Sequence, residues 1–341
     1  MDGVKRLVLT ALAGLIVAGG VFAGGGSDKG GSGGAANGSK TYEINIAHIV
    51  NEDNIWHKAS LFFKKEAESR SEGRIKVNIY PNSQLGTEMD AVNSIITDGG
   101  TDITLTGESM QSVIPEMGVL GVPYLLTSSE LLNKVAAGPV GKQLEDLLLK
   151  NANMRVLGYF ERGPRNVTSN KPIRSPSDMN GFVIRVSASP ITVATWEAVG
   201  AKPVPMAFAE VFTALQQKTI DGQENPLAMI KTGNFNEVQR FLNKTEHLRT
   251  WIYFVLSETK FQSLPKDLQD LVIDAGKKTQ AYEHELFLKD EAELEQYLSQ
   301  NGMTIVSDVD QAAFVRQASA GVEKVLPPKI KPLYDQIKAM Q

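Results

Sequence analysis

A short apolar segment that carries an arginine near its end constrains the fold most. Residues 181–186 read Gly-Phe-Val-Ile-Arg-Val, and turn-forming residues flank them on both sides. Such a run predicts a strand, and its nearly continuous apolar character indicates that both faces are covered, as in a parallel sheet. Arg185 then lies at the carboxyl end of the strand, where open α/β sheets bind ligands. On strand placement alone, an internal ion pair or a solvated arginine at the strand edge remains an alternative.

Strand and helix patterns alternate along the rest of the chain. Strands are predicted at residues 41–50, 74–80, 102–106, 154–160 and 251–257, and helices at 56–70, 88–97, 190–200 and 208–217. Alternation of this kind is typical of βαβ units, so the sequence predicts an α/β fold with a mostly parallel sheet. Gly163-Pro164 is predicted as a turn, because these residues are strong chain breakers.

One predicted helix is unusually long. It begins at Leu264-Pro265 and continues to Gln300, where Asn301-Gly302 ends it. A proline near the first helical position and a glycine past the last one fit the known preferences of helix termini. At about 1.5 Å per residue this helix would span roughly 50 Å. A helix of that length outruns one domain, which indicates that it braces two.

The N-terminus has the features of an export signal. Lys5 and Arg6 precede an apolar run from Leu7 to Ala23, so residues 1–23 are predicted to be a signal peptide. Residues 24–40 are a Gly/Ser-rich linker. The arrangement is typical of an exported lipoprotein, but the cysteine that would carry the lipid is missing. The sequence therefore predicts a periplasmic or extracytoplasmic location. Three explanations of the missing cysteine stay open: a soluble exported protein, an uncleaved N-terminal anchor or an altered sequence.

Composition and motifs leave several classes of function without support. A net charge of −4 and the lack of a basic tract argue against a nucleic-acid partner. Gly138 to Gln143 lacks the spacing and the Ser/Thr of a phosphate-binding loop, and no G-x-S-x-G motif occurs. There is no cysteine, and the four histidines form no zinc pair at helical spacing. We therefore expect neither an enzyme nor a cofactor or metal.

Several motifs between residues 42 and 328 resemble one family. The segments that carry the resemblance are Tyr80-Pro81-Asn82-Ser83-Gln84-Leu85-Gly86, Arg165 to Asn170, Gly200-Ala201-Lys202-Pro203-Val204-Pro205-Met206 and Gln223-Glu224-Asn225-Pro226. Together they resemble the substrate-binding proteins of tripartite ATP-independent periplasmic (TRAP) transporters, DctP type. The resemblance implies a two-lobed periplasmic-binding-protein fold, with a mostly parallel, helix-flanked sheet in each lobe and a long helix that crosses both. We place the first lobe at residues 41–162 with 251–290, the second at 163–250 with 291–325, and a C-terminal helix at 326–341.

The resemblance also implies a set of ligand-binding residues. Arg185 corresponds to the arginine that pairs with the ligand carboxylate, Arg165 to a second basic position, and Asn225 to the asparagine that completes the clamp. Positions that line the pocket or touch the rest of the ligand correspond to Phe208, Glu108, Glu88 and His48. Structural alternatives exist for three of them. Glu108 could be a solvated loop acid, Glu88 an acid favoured by a helix N-terminus, and His48 a satisfied core histidine.

The expected function is capture of a small organic acid outside the cytoplasm for a TRAP membrane permease driven by an ion gradient. If Glu88 and Glu108 are ionised in the cleft, they repel a second carboxylate and accept hydrogen bonds from hydroxyls. A sugar acid such as a uronate or aldonate is therefore favoured over the alternative, a C4-dicarboxylate. A ligand-sensing module and an exported enzyme are the remaining alternatives. The short segment after Pro328 favours a monomer.

Overall fold

The computed structural model describes residues 40–341. The predicted signal peptide and all but the last residue of the predicted linker lie outside the described residues. In chain order the strands are β1 Tyr42–Ala47, β2 Ile75–Tyr80, β3 Ile103–Thr106, β4 Met154–Ser169, β5 Val183–Val186, β6 Lys202–Pro205, β7 Gly222–Asn225, β8 Phe241–Ser257 and β9 Thr304–Val306. The α-helices are α1 Ile55–Arg70, α2 Glu88–Ile96, α3 Ser129–Ala136, α4 Pro139–Ala152, α5 Pro190–Ala198, α6 Val211–Gln216, α7 Leu227–Thr232, α8 Glu258–Ser263, α9 Lys266–Gln300, α10 Gln311–Val325 and α11 Lys331–Lys338.

The strands form one continuous sheet in the order β2-β1-β3-β8-β4-β7-β5-β6, and β9 also pairs with β8. Pairing is parallel at both ends, between β1 and its neighbours β2 and β3 and between β5 and its neighbours β6 and β7. We call the part built on β1–β3 the first lobe and the part built on β5–β7 the second lobe. The predicted α/β, two-lobed architecture is confirmed, with one addition. The two parallel ends belong to a single sheet, because β4 and β8 pass through its centre antiparallel to each other and to β7 and β3 respectively.

The central strands β4 and β8 are much longer than predicted. The turn predicted at Gly163-Pro164 is wrong, because these residues lie inside β4, where the register against β8 shifts between Arg162 and Arg165. A bulge accommodates a proline, which has no N–H to donate to the ladder. A Cβ at position 163 would meet the carboxylate of Glu291 on α9, so a larger residue there would displace that side chain.

The predicted long helix is confirmed as α9, which packs against α1 and β4. Its N-terminal half contributes Leu268 and Val272 to the core that also contains β1 and β2, in the first lobe. Its C-terminal half contributes Leu294 and Leu298 to a core beside β7 and α6, in the second lobe. One helix therefore takes part in the cores of both lobes, as its length indicates.

The C-terminal helices connect the lobes a second time. α10 packs on α5 in the second lobe, and α11 packs on α4 in the first. Leu333 and Ile337 of α11 are buried there, at no more than 1% exposure. Helix α11 falls within the predicted C-terminal helix at 326–341. Within residues 40–341, no helix is both long enough and apolar enough to cross a membrane.

Candidate ligand-binding site

A cavity of about 260 Å³ lies between the two lobes, beside the bulge of β4. Its polar lining comes from the ends of the strands and from the segments that follow them, as expected for ligand sites in α/β sheets. Six of the seven predicted site residues line it: Arg185, Asn225, Arg165, Phe208, Glu108 and Glu88. The apolar part of the wall includes Trp56, Met206, Met229 and Ile252.

Arg185 is a buried cation at the carboxyl end of β5. Only 5% of the residue is exposed, and its Nε and Nη2 both donate to the carbonyl of Met206, at 2.9 and 2.6 Å. Within the described chain, no carboxylate lies within 4.0 Å of its guanidinium. Burial lowers the pKa of Arg185 to about 10, and Arg165 acts in the same direction against the opposing charge of Glu224. Such a group favours an anion in the cavity, because burial of a charge is costly unless it is paired.

Arg165 is held by Glu224 from the neighbouring strand β7. Its Nε and Nη2 both donate to the Glu224 carboxylate, the second at 2.8 Å, and Nη2 also donates to the Glu224 carbonyl at 2.7 Å. His247 Nε2 lies 3.0 Å from the same carboxylate. Burial alone would raise the pKa of Glu224, but Arg165 and His247 together lower it to about 2. Nη1 is therefore the one guanidinium nitrogen of Arg165 that does not donate to Glu224, and Arg165 lines the cavity.

Glu108 begins the short 3-10 helix Glu108–Ser112 after β3. Arg162 Nη2 donates to its Oε2, and Arg165 Nη1 lies 3.7 Å from its Oε1. Although burial alone would raise the pKa of Glu108, these two guanidinium groups hold it below its usual range. The alternative of a solvated loop acid is wrong for Glu108, because its side chain is only 4% exposed.

Glu88 is the first residue of α2, directly after the cap residue Thr87. Its Oε1 accepts from Thr106 Oγ1 at 2.9 Å and its Oε2 from Ser109 Oγ at 3.4 Å. Burial, followed by the charge of Glu108, raises the pKa of Glu88. This carboxyl group is therefore easier to protonate than Glu108, and in its protonated form it adds a hydrogen-bond donor to the cavity.

Asn225 and Phe208 complete the second-lobe wall. Asn225 ends β7, and its Nδ2 donates to Gln223 Oε1 at 2.5 Å. The Phe208 ring packs against Phe235, with ring centroids 5.6 Å apart. Both side chains thus have a fixed position from which they contact the cavity.

His48 is the predicted site residue that the structure does not bring to the cavity. It follows β1 directly, and its Nε2 lies 3.0 Å from Nδ1 of His57 on α1. Burial and the neighbouring His57 lower the pKa of His48 to about 4. The side chain packs with α1 as in the core-histidine alternative, but its Nδ1 is buried and has no hydrogen-bond partner within the described residues.

Sequence reasoning missed three polar groups at the site. Arg162 stands beside the predicted turn, Glu224 lies in the strand β7 that was not predicted, and Ser187 follows β5 directly. Ser187 Oγ is buried and lines the cavity without a hydrogen-bond partner in the described residues. A signal for Glu224 was present, because a buried arginine predicted at 165 requires a carboxylate or a ligand to offset its charge.

The charges of the site leave an excess of one cation only when Glu88 is protonated. Arg162, Arg165 and Arg185 face two carboxylates with lowered pKa values, Glu108 and Glu224. When Glu88 is protonated, the remaining positive charge matches a ligand that carries one negative charge. No group of three His, Cys, Asp or Glu side chains within residues 40–341 is arranged to hold a metal.

Comparison with known proteins identifies the family. The model of the bacterial extracellular solute-binding proteins of family 7 matches residues 46–326. A solute-binding protein from Roseobacter denitrificans is 43% identical over 294 residues, which cover 86% of this chain and 90% of that protein. A TRAP periplasmic solute-binding protein from the same organism, solved with bound L-galactonate, has a TM-score of 0.85 at 43% identity and 87% and 99% coverage of the two chains.

More distant relatives also match most of the chain. The 2,3-diketo-L-gulonate-binding periplasmic protein of Escherichia coli is 31% identical over 261 residues, or 76% of this chain and 79% of that protein. A TRAP periplasmic solute-binding protein from Sulfurospirillum deleyianum, solved with bound succinate, has a TM-score of 0.84 at 29% identity and covers 89% and 100% of the two chains. The chain therefore belongs to the bacterial extracellular solute-binding proteins of family 7, and it is a solute receptor of the TRAP transporter class rather than an enzyme.

Proposed function

We propose that this receptor captures a hydroxylated monocarboxylate of the sugar-acid class and that Arg185 binds the carboxylate. The observation that carries the proposal is the buried guanidinium of Arg185, which lines the cavity and has no carboxylate of the described chain within ion-pair distance. A planar guanidinium binds a carboxylate through two parallel hydrogen bonds. Asn225 completes this clamp from β7, and Phe208 covers the ligand from the second lobe.

The rest of the cavity supports a monoacid with hydroxyl groups. Glu108 is an ionised acceptor, Glu88 is an acceptor or, when protonated, a donor, and Ser187 Oγ is free among the described residues to do either. When Glu88 is protonated, the positive charge that remains after pairing is offset by one carboxylate. L-galactonate, which occupies the relative from Roseobacter denitrificans, has these properties.

A C4-dicarboxylate is the second candidate, and it is favoured by the bound succinate in the Sulfurospirillum relative. It would need a cation for its second carboxylate. Arg165 offers only Nη1 for this role, because Glu224 occupies its Nε and Nη2. Glu108 also lies 3.7 Å from that Nη1 and would repel the second carboxylate. The arrangement of Arg165 therefore favours the monoacid.

Transport follows from closure of the two lobes on the ligand. We place the lobes at residues 41–162 with 251–290 and 163–250 with 291–325, with the ligand between them. A ligand shifts an open–closed equilibrium only through contacts that it makes better in the closed state. The closed receptor then docks on a TRAP permease in the membrane, and the N-terminal segment directs or tethers the receptor outside the cytoplasm. The receptor acts as a monomer, since the apolar face of α11 is already covered by its own first lobe.

A thermal-shift screen tests the ligand class. The panel contains aldonates, uronates, C4-dicarboxylates, sialic acid and 2-oxo acids. A ligand at about a hundredfold excess over its Kd stabilises the folded state by about 2.7 kcal/mol. We expect L-galactonate or a related sugar acid to raise the Tm, and Arg185→Gln to abolish the shift while Arg174→Gln, at an exposed ion pair, retains it. A shift with dicarboxylates alone would contradict the monoacid, and no shift with any acid would contradict the clamp.

A further inference from the structure

A buried ion pair, Arg162 with Glu108, lines the cavity from β4 and from the 3-10 helix after β3. Arg162 lies in β4 next to the bulge, and its Nη2 donates to Glu108 Oε2. The side chains are 8% and 4% exposed, and both residues line the cavity. Nε of Arg162 is buried and has no hydrogen-bond partner in residues 40–341. The pair is therefore part of the ligand cavity and is shielded from solvent.

Arg162 is the main counter-charge of Glu108. The other cation near Glu108 is Arg165, whose Nη1 is 3.7 Å from Glu108 Oε1 and whose remaining donors are bound to Glu224. The groups that face Glu108 are thus Arg162 and Arg165 from β4, Glu88 from α2 and, further away, Arg185 from β5, with Glu224 from β7 behind Arg165. Removal of Arg162 would leave Glu108 beside another carboxyl group with one distant partner.

We propose that Arg162 is a positioning residue that holds Glu108 ionised and fixed in the cavity, and that the pair makes the receptor select aldonates over aldarates. An ionised Glu108 accepts hydrogen bonds from hydroxyl groups and repels a second carboxylate. Arg162 cannot attract that second carboxylate, because its charge is already neutralised by Glu108. This inference rests on the proposed function, since it assumes that the carboxylate of an organic acid binds at Arg185.

The test uses two ligands that differ at one carbon. L-galactonate ends in a hydroxymethyl group at C6, and the aldarate of the same carbon skeleton has a second carboxylate there. Calorimetric titration of the purified protein should show that the wild type prefers L-galactonate by on the order of a hundredfold, since like charges placed together are strongly unfavourable. Glu108→Gln should reduce this preference by at least about tenfold, because it removes the repelling charge and frees Arg162 to bind the second carboxylate.

Substitutions of Arg162 separate positioning from a general structural role. Arg162→Gln should lower the affinity for L-galactonate, and the loss should shrink as pH rises, because Glu108 without its partner is protonated at low pH and becomes the ionised acceptor again at high pH. Arg162→Lys should restore the pH profile of the wild type, since lysine supplies the same charge. The double variant Glu108→Gln with Arg162→Gln keeps the charge balance and has no carboxyl group at position 108, so its affinity for L-galactonate should not show this pH dependence. Arg155→Gln is the matched control. Arg155 lies on β4, as Arg162 does, but it pairs with Glu258 away from the cavity.

Each outcome decides the inference. It is overturned if Glu108→Gln leaves the ratio of the two affinities unchanged, or if Arg162→Gln and Arg162→Lys lower affinity equally with the pH profile of the wild type. Circular dichroism spectra and Tm values of the variants identify any that fail to fold, and the folded Glu108→Gln or Arg162→Lys protein then carries the test. If the wild type binds no acid, the proposed function fails as well. If the wild type prefers L-galactonate over the aldarate but the variants leave this preference unchanged, the inference alone fails.

Discussion

Among the single residues of the site, Glu224 is a fully buried carboxylate that depends on two charged or polar partners. It contacts both Arg165 and His247. Replacement by Gln would leave buried Arg165 with only the Glu108 carboxylate, 3.7 Å from its Nη1, as a close counter-charge. Removal of one partner of a buried pair costs about 3–5 kcal/mol. We therefore expect Glu224→Gln to lower the free energy of unfolding by that amount in urea titrations. Glu258→Gln, at the partly exposed pair with Arg155, should cost about 1 kcal/mol or less.

The pH dependence of that stability gives a second check on Glu224. Its pKa falls from 4.5 to about 2 in the folded protein, because Arg165 and His247 outweigh the effect of burial. A lowered pKa stabilises the folded state above the ordinary pKa, and this stabilisation is lost as pH falls from 4.5 towards about 2. Unfolding experiments in this range should show a shallower acid dependence in Glu224→Gln. An unchanged slope would contradict the pairing.

A local sequence pattern could point to Arg185, whereas Asn225, Phe208, Glu108 and Glu88 were named through the family resemblance. Arg185 was predicted from an apolar run that contains a charged residue near the carboxyl end. Arg162 was not, because its partner Glu108 is 54 positions away and only the sheet brings them together. His48 also follows a strand directly, but it packs against His57 on α1. The direction of a side chain after a strand depends on the tertiary contacts of the next helix, which a local pattern does not contain.

At the scale of secondary-structure elements, Asn54 joins the two lobes through one side chain. Its Oδ1 caps α1 by accepting from Trp56 N at 2.9 Å, and its Nδ2 donates to Thr232 Oγ1, at the end of α7, at 2.8 Å. Asn54→Ala loses both contacts and should destabilise the protein by about 1 kcal/mol through the cap alone. Thr232→Val loses only the contact between the lobes.

These two variants separate folding from closure. We expect Thr232→Val to weaken ligand binding, measured by calorimetry, with little change in the Tm of the ligand-free protein. Asn54→Ala should lower both the ligand affinity and the Tm of the ligand-free protein. Equal binding by Thr232→Val and the wild type would show that this hydrogen bond does not contribute to closure.

Glu291 lies on α9, which packs against β4, and the pKa of its carboxyl group is raised. Burial raises the pKa of Glu291 from 4.5 to about 7, against the attraction of Arg249, and Glu161 and Glu246 act with burial. A raised pKa in an acid means that the folded state binds more protons, so stability falls as pH rises from 4.5 to about 7. At about 1.4 kcal/mol for each pKa unit, Glu291→Gln should stabilise the protein by up to about 3 kcal/mol near pH 8 and have little effect near pH 4.

Denaturant unfolding at the two pH values measures this difference. Glu293→Gln is the control, because Glu293 is an exposed carboxylate on the same helix. A similar gain at both pH values would indicate improved packing instead of the removal of a charge. Loss of stability near pH 8 would show that the attraction between Glu291 and Arg249 outweighs burial.

At the same scale, helices were easier to predict than central strands. The boundaries of α9 follow from a proline, a glycine and an apolar stripe within one stretch of sequence. Strand β7 has the sequence Gly-Gln-Glu-Asn, which lacks the β-branched and aromatic residues typical of strands. It forms because β4 and β5 provide pairing partners on its two sides. The continuous sheet has the same origin, since the antiparallel pairing of β4 with β8 joins segments far apart in the chain.

For the whole molecule, the central question is how the two lobes respond to the ligand. β4, β8 and α9 pass from one lobe to the other, so any closure must bend these connections while each lobe keeps its own core. The cavity is lined from both sides, by Glu88 and Glu108 in the first lobe and by Arg185 and Asn225 in the second. A ligand that bridged these groups would make more contacts in a closed state than in an open one, and we expect this difference to drive closure.

Distance measurements between spin labels test this mechanism directly. The chain contains no cysteine, so labels can be placed at Gln84→Cys and Glu210→Cys, exposed positions next to the cavity residues Ser83 and Ala209 of opposite lobes. We expect saturating L-galactonate to shorten and narrow the distance distribution, and Arg185→Gln to abolish this response. Labels at Lys202→Cys and Glu210→Cys, both exposed in the second lobe, should show no change. If calorimetry shows binding but the distance between the lobes stays the same, the ligand fills the cavity without closure, and the permease would have to recognise the occupied receptor by another feature.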